Sequence, residues 1–334
     1  MKAMRLRQPG GLDHIYLGSA ESRPAGPGEI RVRVRASSLN FHDFLVALGK
    51  LPADEGRILM SDAGGEVVEV GAGVTEFAVG DPVASTFFPD WQAGRPTVQN
   101  NFAMPGDHTD GYACEEVTVP ATSFTKAPAG YSHAEAATLS CAGLTAWRAL
   151  MADGGLKAGD TVLVQGTGGV SVFALQFAKA AGATVIATSS SDEKLARLKA
   201  LGADGLINYR STPEWGQQVL QLTGGRGVDH VVEVGGPGTL PQSIAACALG
   251  AHIAMIGVLT GGEGPVPTAQ LLRKHIRLQG LMVGNREQQQ DMVRAIEATG
   301  IRPVIDSHFP LEDLAKAFAH QASGSHFGKI CIDI

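Results

Sequence analysis

The residues best suited to chemistry lie in a glycine turn between an apolar segment and a helical one. Thr161–Gln165 is predicted to be a buried strand, and helical periodicity covers Val170–Ala181. Gly166 permits a tight turn, Gly168 lets the backbone approach a phosphate at the helix N-terminus, and Gly169 completes the turn. An ordinary glycine-rich turn is the alternative, but the order strand, turn, helix favours binding of a dinucleotide.

The second strand of this region ends without an acidic residue. In NAD-selective sites an acidic side chain at this point usually holds the ribose 2′-hydroxyl, whereas Thr188–Ser191 carries none. Ser189 has no charge to repel a 2′-phosphate, Lys194 lies in the first turn of the next helix, and Tyr209 ends the third strand. A solvated lysine and a partly buried tyrosine are the alternative. The pattern favours NADP(H) over NAD(H).

The pattern of apolar residues differs between two parts of the chain. Its 334 residues correspond to about two domains at roughly 100 to 200 residues each. Residues 1–130 alternate in short apolar runs broken by Gly, Pro and Asp, which predicts an antiparallel, barrel-like β domain. Residues 131–275 alternate strands and helices, which predicts a doubly wound parallel sheet that binds the cofactor. Residues 276–334 are predicted to return to the first domain.

The element boundaries follow from periodicity and capping signals, including a capping box at Ser132 and Glu135. Besides Thr161–Gln165, the predicted strands of the second domain are Thr184–Thr188, Gly205–Tyr209, Val228–Val234, His252–Ile256 and Arg277–Val283. Besides Val170–Ala181, the predicted helices are Phe41–Gly49, Asp192–Leu201, Pro213–Leu222, Leu240–Leu249, Gln288–Ala298 and Leu311–Ala322.

Composition excludes several classes of protein. Apolar residues make up 44% of the chain and charged residues 18%, which suffices for a packed core. A net charge of −6 argues against nucleic-acid binding, and the longest near-apolar stretch, Ile244–Leu259, is too short to cross a bilayer. The four cysteines form no CxxC pair, so neither a disulfide framework nor a zinc ribbon is expected. We expect a cytoplasmic protein.

Four motifs in order resemble the medium-chain dehydrogenase/reductase superfamily. They are Ala136–Trp147, Val162–Val170, Leu201–Asp204 and Val283–Arg286, while Asn40–Asp43 and Ser61–Gly65 are most similar to the quinone oxidoreductase branch. The resemblance implies an α/β protein with a GroES-like β-barrel catalytic domain and a Rossmann domain. It implies that Lys194 and Tyr209 bind the 2′-phosphate of NADPH. Further cofactor contacts are implied at Val170, Gly257, Val283, Gly284 and Arg286.

The same resemblance bears on zinc. Zinc alcohol dehydrogenases of the superfamily have cysteine where Asn40 stands, a Gly-His-Glu triplet where Met60–Asp62 stands, and a cysteine matching Cys141. A catalytic zinc needs three protein ligands, and Asn40 and Ser61 are poor ones. Of the cysteines that build the structural zinc lobe, only Cys114 is present. We therefore expect no metal site, with a rearranged site around His42 and Asp43 as the alternative.

Without zinc, other groups must polarise the acceptor. The resemblance places Asn40 beside the nicotinamide, where its amide would donate to a developing oxyanion. It places His42 where zinc enzymes carry a proton-relaying hydroxyl, and it turns Thr145 toward the cofactor. The alternatives are a turn or cap asparagine, a surface or packing histidine, and a packed threonine. Asp43 and Cys141 are expected to be structural.

A long loop, Thr86–Tyr112, carries Phe87, Phe88, Trp91 and Phe102. A loop of this length in a compact domain is usually functional or mobile, so exposed aromatics would form an apolar lip on a substrate cleft. A hydrophobic cluster beneath the loop is the alternative.

These observations predict an NADPH-dependent oxidoreductase that passes hydride to a quinone, an enone or a carbonyl without zinc. Two alternatives remain, an alcohol dehydrogenase acting on alcohols and ketones, and a non-catalytic NADPH-binding protein. We expect a small-molecule substrate and no nucleic-acid or membrane partner. Because His252–Ile256 and Arg277–Val283 would form an unpaired sheet edge, a homodimer is also expected.

Overall fold

The computed structural model describes all 334 residues, and they form two compact units. The first unit contains Met1–Leu144 and Val283–Ile334, and the second contains Thr145–Met282. The sequence-based breaks after residues 130 and 275 describe functional domains and stay a prediction. The first compact unit extends beyond residue 130 to Leu144, because the helix His133–Ala137 packs on strands of that unit.

Sixteen strands form three sheets. In chain order they are β1 (Lys2–Leu6), β2 (Ile15–Ser19), β3 (Glu29–Ser38), β4 (Arg57–Ile58), β5 (Gly64–Val70), β6 (Pro82–Ser85), β7 (Glu116–Pro120), β8 (Phe124–Lys126), β9 (Thr161–Gln165), β10 (Thr184–Ser189), β11 (Gly205–Asn208), β12 (Val228–Glu233), β13 (Cys247–Met255), β14 (Arg277–Gly280), β15 (Ile305–Pro310) and β16 (Lys329–Asp333).

Ten α-helices accompany them. They are α1 (Phe41–Ala47), α2 (His133–Ala137), α3 (Leu144–Trp147), α4 (Gly169–Ala180), α5 (Asp192–Ala200), α6 (Trp215–Leu222), α7 (Leu240–Ala246), α8 (Thr268–Lys274), α9 (Arg286–Thr299) and α10 (Leu314–Ser323). Two π-helical segments, Leu139–Gly143 and Arg148–Ala152, flank α3, and three 3₁₀ turns lie at Leu12–His14, Ala121–Ser123 and Leu311–Asp313.

The first unit is built on a mainly antiparallel sheet of seven strands. Its order is β15-β16-β3-β5-β6-β8, with β7 also paired to β3, and β2-β1-β4 forms a smaller sheet. Alternate residues of β3, Ile30, Val32 and Val34, point into one core, as their period of two predicts. The confirmed capping box at Ser132 starts α2. Gly64 lets α2 lie close to β5, because a Cβ there would stand 1.9 Å from the His133 carbonyl oxygen.

The second unit is a doubly wound sheet, and all its strand pairs are parallel. The strand order is β11-β10-β9-β12-β13-β14, so β9, the first strand of the sheet in the chain, lies between β10 and β12. Every residue of β9 is buried, as expected of a parallel strand covered on both faces. The predicted fold class of this region is confirmed.

Two elements at the far end of this sheet differ from the prediction. The expected helix Leu240–Leu249 ends at Ala246, because Cys247 is extended and pairs with Val228 at the start of β13. Apolar composition cannot distinguish a helix end from a strand start. The helix α8 was missed because none of its residues is buried, so it shows no apolar period.

Most aromatic side chains of the Thr86–Tyr112 loop are internal. Phe87, Phe88 and Trp91 are each 1% exposed and pack edge to face or tilted against one another, so the apolar-lip prediction is wrong for them. Only Phe102 is exposed, at 58%. The hydrophobic cluster beneath the loop is therefore the correct alternative for these three residues.

All four cysteines are free, and three of them are buried. Cys114, Cys247 and Cys331 are buried, Cys141 is partly buried, and no disulfide joins them. None of the ten helices combines the length and the apolar character that crossing a bilayer requires.

Candidate functional site

The glycine turn of the second unit lies at the carboxyl end of β9, where the strand order reverses. Such a switch point is the usual ligand site of a doubly wound sheet. Gly166 has a φ of 71°, and a Cβ added at Gly166 or Gly168 would meet nothing within 4 Å. Gly168 is the extended N-cap of α4, and no side chain caps this helix. The backbone around Gly168 and Gly169 is therefore open to a pyrophosphate.

A buried carboxylate holds the segments around this turn. Ser171 Oγ donates to the Gln165 carbonyl at 2.6 Å, and Gln165 Nε2 donates to Glu233 Oε2 at 2.8 Å. Glu233 is fully buried and also accepts from the backbone N–H groups of Gly235 and Gly236. The sequence analysis missed Glu233, because a single acid at the end of an apolar strand gives no periodic signal.

The predicted 2′-phosphate residues come together at the carboxyl ends of β10 and β11. The Tyr209 N–H donates to the Ser189 carbonyl at 3.1 Å, and Tyr209 is 41% exposed. Lys194 lies in the first turn of α5, whose N-cap Ser191 accepts its N–H. The nearby acid Asp192 accepts from the Asn208 amide at 2.7 Å.

The remaining predicted cofactor residues have structural roles of their own. A Cβ at Gly257 would stand 2.1 Å from the Val234 carbonyl oxygen, so glycine is required there. Val283, with a φ of 47°, and Gly284 precede α9 in the first unit. The Arg286 guanidinium donates to the Phe124 carbonyl and to Glu76 Oε1 within that unit. The cofactor contacts assigned to these four residues stay predictions.

The first unit places Asn40 in a buried polar cluster at the start of α1. Asn40 is 6% exposed and is the N-cap residue of α1, which begins with a capping box formed by Asn40 and Asp43. Its Nδ2 donates to Ser61 Oγ at 3.2 Å. Asp43 accepts from the backbone N–H groups of Asn40 and Ser61, at 3.0 and 2.9 Å, and is a structural partner as predicted.

A buried ion pair that the sequence analysis missed completes this cluster. Lys329 is 3% exposed and its Nζ donates to Asn40 Oδ1 and to the Leu39 carbonyl, both at 2.6 Å. Asp62 Oδ2 lies 3.6 Å from the same Nζ and accepts from Ser38 Oγ. Burial raises the pKa of Asp62 to about 6, although Lys329 lowers it. The sequence did not indicate that Lys329 is buried, because a lysine at the start of a strand is usually solvated.

His42 is held between two carboxylates. Its Nε2 lies 2.9 Å from Asp107 Oδ2, and its Nδ1 lies 3.7 Å from Asp43 Oδ1 without a hydrogen bond. The ring is 15% exposed and packs edge-on against Phe87. Burial lowers the pKa of His42, but the two carboxylates outweigh it and raise the pKa to about 9. A pKa of about 9 favours the protonated form of His42 at neutral pH, and its predicted catalytic role stays a prediction.

Asp107 links His42 to the partly exposed His108. Asp107 is 3% exposed, and its Oδ1 accepts from the backbone N–H of His108 and contacts the ring Nδ1. The spacing of these residues in the sequence could not reveal this contact with α1. Thr145 is buried in α3, and Cys141 is partly exposed in the π-helical segment before it. Their predicted roles are not tested by these positions.

Comparison with known proteins identifies the family. Residues 26–129 match the alcohol dehydrogenase GroES-like domain, and residues 169–298 match the zinc-binding dehydrogenase family. A zinc-type alcohol dehydrogenase-like protein of Schizosaccharomyces pombe is 43% identical over 317 residues, which is 92% of this chain and 91% of the relative. The chain belongs to the medium-chain dehydrogenase/reductase superfamily. It is accordingly an NAD(P)-dependent oxidoreductase, and the predicted resemblance and fold are confirmed.

Two solved structures represent the superfamily's neighbouring activities. An NAD-dependent alcohol dehydrogenase is 34% identical with a TM-score of 0.91, and each chain covers 100% of the other. A quinone oxidoreductase of Pseudomonas syringae pv. Tomato is 29% identical with a TM-score of 0.83, covering 100% of this chain and 99% of its own. The superfamily includes enzymes of both kinds, so the similarity alone does not choose the substrate.

The family name implies zinc, but the residues of this chain do not fit that ion. No group of three or more His, Cys, Asp or Glu side chains is arranged to hold a metal. At the positions of two family ligands, Asn40 and Ser61 bond to each other. The Lys329 ammonium on Asn40 Oδ1 would repel a divalent cation. The dinucleotide, in contrast, fits the open backbone at Gly166 and Gly168.

Proposed function

We propose that this enzyme is a zinc-independent, NADPH-preferring reductase of quinones, enones or other activated carbonyl compounds. The observation that carries the proposal is the cluster around Asn40. It contains the amide of Asn40 and the hydroxyl of Ser61 at positions where zinc enzymes of the superfamily have thiolate and imidazole ligands, and the buried ammonium of Lys329 lies against the amide oxygen. Polarisation of the acceptor is then left to hydrogen-bond donors of the protein.

The proposed preference for NADPH rests on the ends of β10 and β11. Lys194 and Tyr209 would hold the 2′-phosphate, and no acidic residue lies in Thr188–Ser191 to repel it. Gly166, Gly168 and Gly169 would receive the pyrophosphate on open backbone. When bound, the nicotinamide supplies a hydride.

Asn40 is the proposed donor to the substrate oxygen. Its amide carries two N–H groups, of which Ser61 Oγ accepts one, and the Asp62 carboxyl, whose pKa the amide lowers, is a further neighbour with which a substrate oxygen would compete. An oxyanion that forms on the substrate would be stabilised by such a fixed donor in a water-poor site. Thr145, buried in α3, is proposed to face the cofactor through its hydroxyl.

His42 is the proposed source of the proton that reduction requires. It is protonated at neutral pH, so it acts as an acid rather than a base. Its Nδ1 is buried, makes no hydrogen bond and lies 3.7 Å from Asp43 Oδ1, so a local movement would have to expose it before it could donate to a substrate or a water. After each turnover His42 would have to regain this proton at Nδ1 from water, because its Nε2 keeps its own proton toward Asp107.

The oxidation of alcohols is the second candidate activity. It is favoured by the NAD-dependent alcohol dehydrogenase among the similar structures. The test is a panel of quinones, enones, aldehydes and secondary alcohols, each assayed with NADPH, NADH and the oxidised cofactors. Fastest turnover of an activated carbonyl with NADPH supports the proposal, and fastest turnover of an alcohol with NAD⁺ contradicts it.

We also propose that the enzyme is a homodimer in a reducing cytoplasm. The terminal strand β14 leaves one edge of the parallel sheet without a partner, and Leu249 and Leu272 nearby in sequence are 76% and 78% exposed. Four cysteines without a disulfide fit a reducing compartment. A monodisperse monomer in light scattering at micromolar concentration would contradict the dimer.

A further inference from the structure

Lys329 is an unusual residue in the first unit, because its ammonium is buried rather than solvated. It opens β16, is 3% exposed, and has two hydrogen bonds of 2.6 Å and one carboxylate at 3.6 Å. Burying a lysine and an aspartate costs free energy that a pair of apolar residues would not incur. A pair such as Lys329 and Asp62 therefore calls for a reason beyond stability.

The ammonium determines how the Asn40 amide is oriented. A lysine ammonium has only donors, so the atom that faces it at 2.6 Å must be the amide oxygen, Oδ1. The amide nitrogen is consequently directed to the opposite side, where Ser61 Oγ accepts one proton. A flip of the amide would place two groups of N–H donors against each other, so Lys329 excludes that orientation.

The charge also strengthens the donor. A cation on the amide oxygen draws electron density from the nitrogen, and hydrogen bonds linked in this way reinforce one another in a buried site. Asp62, within 3.6 Å, keeps the ammonium in place, and Ser38 Oγ in turn donates to Asp62 Oδ2 at 2.6 Å.

We propose that Lys329 is a positioning residue for the reaction, whose ammonium holds the Asn40 side-chain oxygen and so presents the amide nitrogen to the substrate oxygen. This inference rests on the proposed function, in which Asn40 is the donor. Lys329 itself contacts no reacting atom. It acts only through Asn40.

The test compares Lys329→Met, Asn40→Ala and the double variant Asn40→Ala/Lys329→Met. Turnover is measured with the best activated carbonyl of the panel, and NADPH affinity by fluorescence titration. Lys329→Met should lower kcat about tenfold without changing NADPH affinity, as expected when part of one oxyanion donor is lost. Because both residues act through one amide, the double variant should be no slower than Asn40→Ala alone.

Two further variants separate catalysis from folding. Lys329→Met leaves Asp62 as an unpaired buried charge, whereas Asp62→Asn/Lys329→Met removes both charges and should fold. The double variant Asp62→Asn/Lys329→Met must still show the lowered kcat. Lys274→Met is the matched control, because Lys274 Nζ also donates to carbonyls, those of Ile244, Ala245 and Cys247, but in the second unit. It should lower stability and leave kcat unchanged.

The outcomes distinguish this inference from the proposed function. Wild-type kcat in the folded Asp62→Asn/Lys329→Met protein overturns the inference. Losses that multiply in Asn40→Ala/Lys329→Met overturn it as well, while a slow Asn40→Ala leaves the proposed function standing. If Asn40→Ala itself turns over at the wild-type rate, the role of Asn40 in the proposed function fails, and the inference fails with it.

Discussion

The glycine turn after β9 presents bare backbone, whereas the cluster around Asn40 is filled with side chains that bond to one another. At the turn, Cβ atoms added at Gly166 and Gly168 would meet open space. In the cluster, Asn40, Asp62 and Lys329 are each at most 6% exposed and are joined by contacts of 2.6 to 3.6 Å. The turn is suited to a ligand that brings its own charge, and the cluster to one whose charge develops during the reaction.

The two regions also differ in how they are assembled. The turn is made by one continuous segment, Thr161–Ala180, which begins in β9 and ends with α4. The cluster joins α1, the segment Met60–Asp62 and the first residue of β16, which is almost 290 residues away from Asn40. Substitutions in the turn region should therefore change ligand affinity, and substitutions in the cluster should change the rate of the reaction.

The largest expected effect is that of Asn40→Ala. Loss of one oxyanion donor should lower turnover by roughly tenfold to a thousandfold, while NADPH affinity stays nearly unchanged. Steady-state kinetics with an activated carbonyl and fluorescence titration of NADPH measure the two quantities. Asn100→Ala is the control, because Asn100 accepts the Thr97 N–H in an exposed turn. If Asn40→Ala lowered NADPH affinity without lowering turnover, the cluster around Asn40 would serve binding rather than the reaction.

Lys194→Ala should have the next largest effect, and on binding alone. A charge-assisted hydrogen bond to phosphate contributes about 1.5 to 3 kcal/mol, so the KM for NADPH should rise by roughly one to two orders of magnitude. NADH kinetics should change little. Lys199→Ala, in the last turn of the same helix, is the control and should leave both KM values unchanged. Equal losses with both cofactors would contradict the assignment of the 2′-phosphate site.

His42 links the cluster to pH. Its pKa in the folded protein is about 9, above its value of 6.5 in an unfolded chain. The stabilisation from its protonated form is therefore complete below about pH 6.5 and is lost as the pH rises through about 9. Because one pKa unit corresponds to about 1.4 kcal/mol, the rise of the His42 pKa from 6.5 to about 9 implies that about 3 kcal/mol should be lost across this window.

Urea unfolding at several pH values measures this loss. His42→Gln should be less stable than the wild type at pH 6 and should show a flatter profile up to pH 9. His308→Gln is the control, because the His308–Asp333 pair is half exposed and screened by water. Parallel profiles of the wild type and His42→Gln would show that the carboxylates around His42 do not hold a proton on it.

The smallest expected effect is that of chelation. Because Lys329 and Asn40 occupy the cluster, prolonged treatment with a strong zinc chelator should leave reductase activity unchanged. The purified protein should contain far less than one zinc per chain by atomic emission. Should chelation abolish activity and zinc alone restore it, the mechanism would need revision, and Cys141 would be the first ligand to substitute.

The difference in assembly explains what the sequence could predict. The turn, the parallel strands and the capping box depend on neighbouring residues, so periodicity and turn chemistry were enough to find them. Partners in distant segments determine the roles of Lys329, Asp107 and Glu233. A single sequence does not reveal such contacts. The helix α8 was missed because it buries no residue. Phe87 and Trp91 were misplaced because composition cannot tell an exposed aromatic from a buried one.

The burial of three cysteines affects how readily the enzyme can be alkylated. Quinones and enones are soft electrophiles that alkylate thiolates. Burial, the largest effect on each group, raises the pKa of Cys114, Cys247 and Cys331 to about 12. At neutral pH only about one in 10⁵ of each thiol is then ionised, and the thiolate is the reactive species. An enzyme that consumes such compounds would thus keep three of its four thiols from being modified by its own substrates.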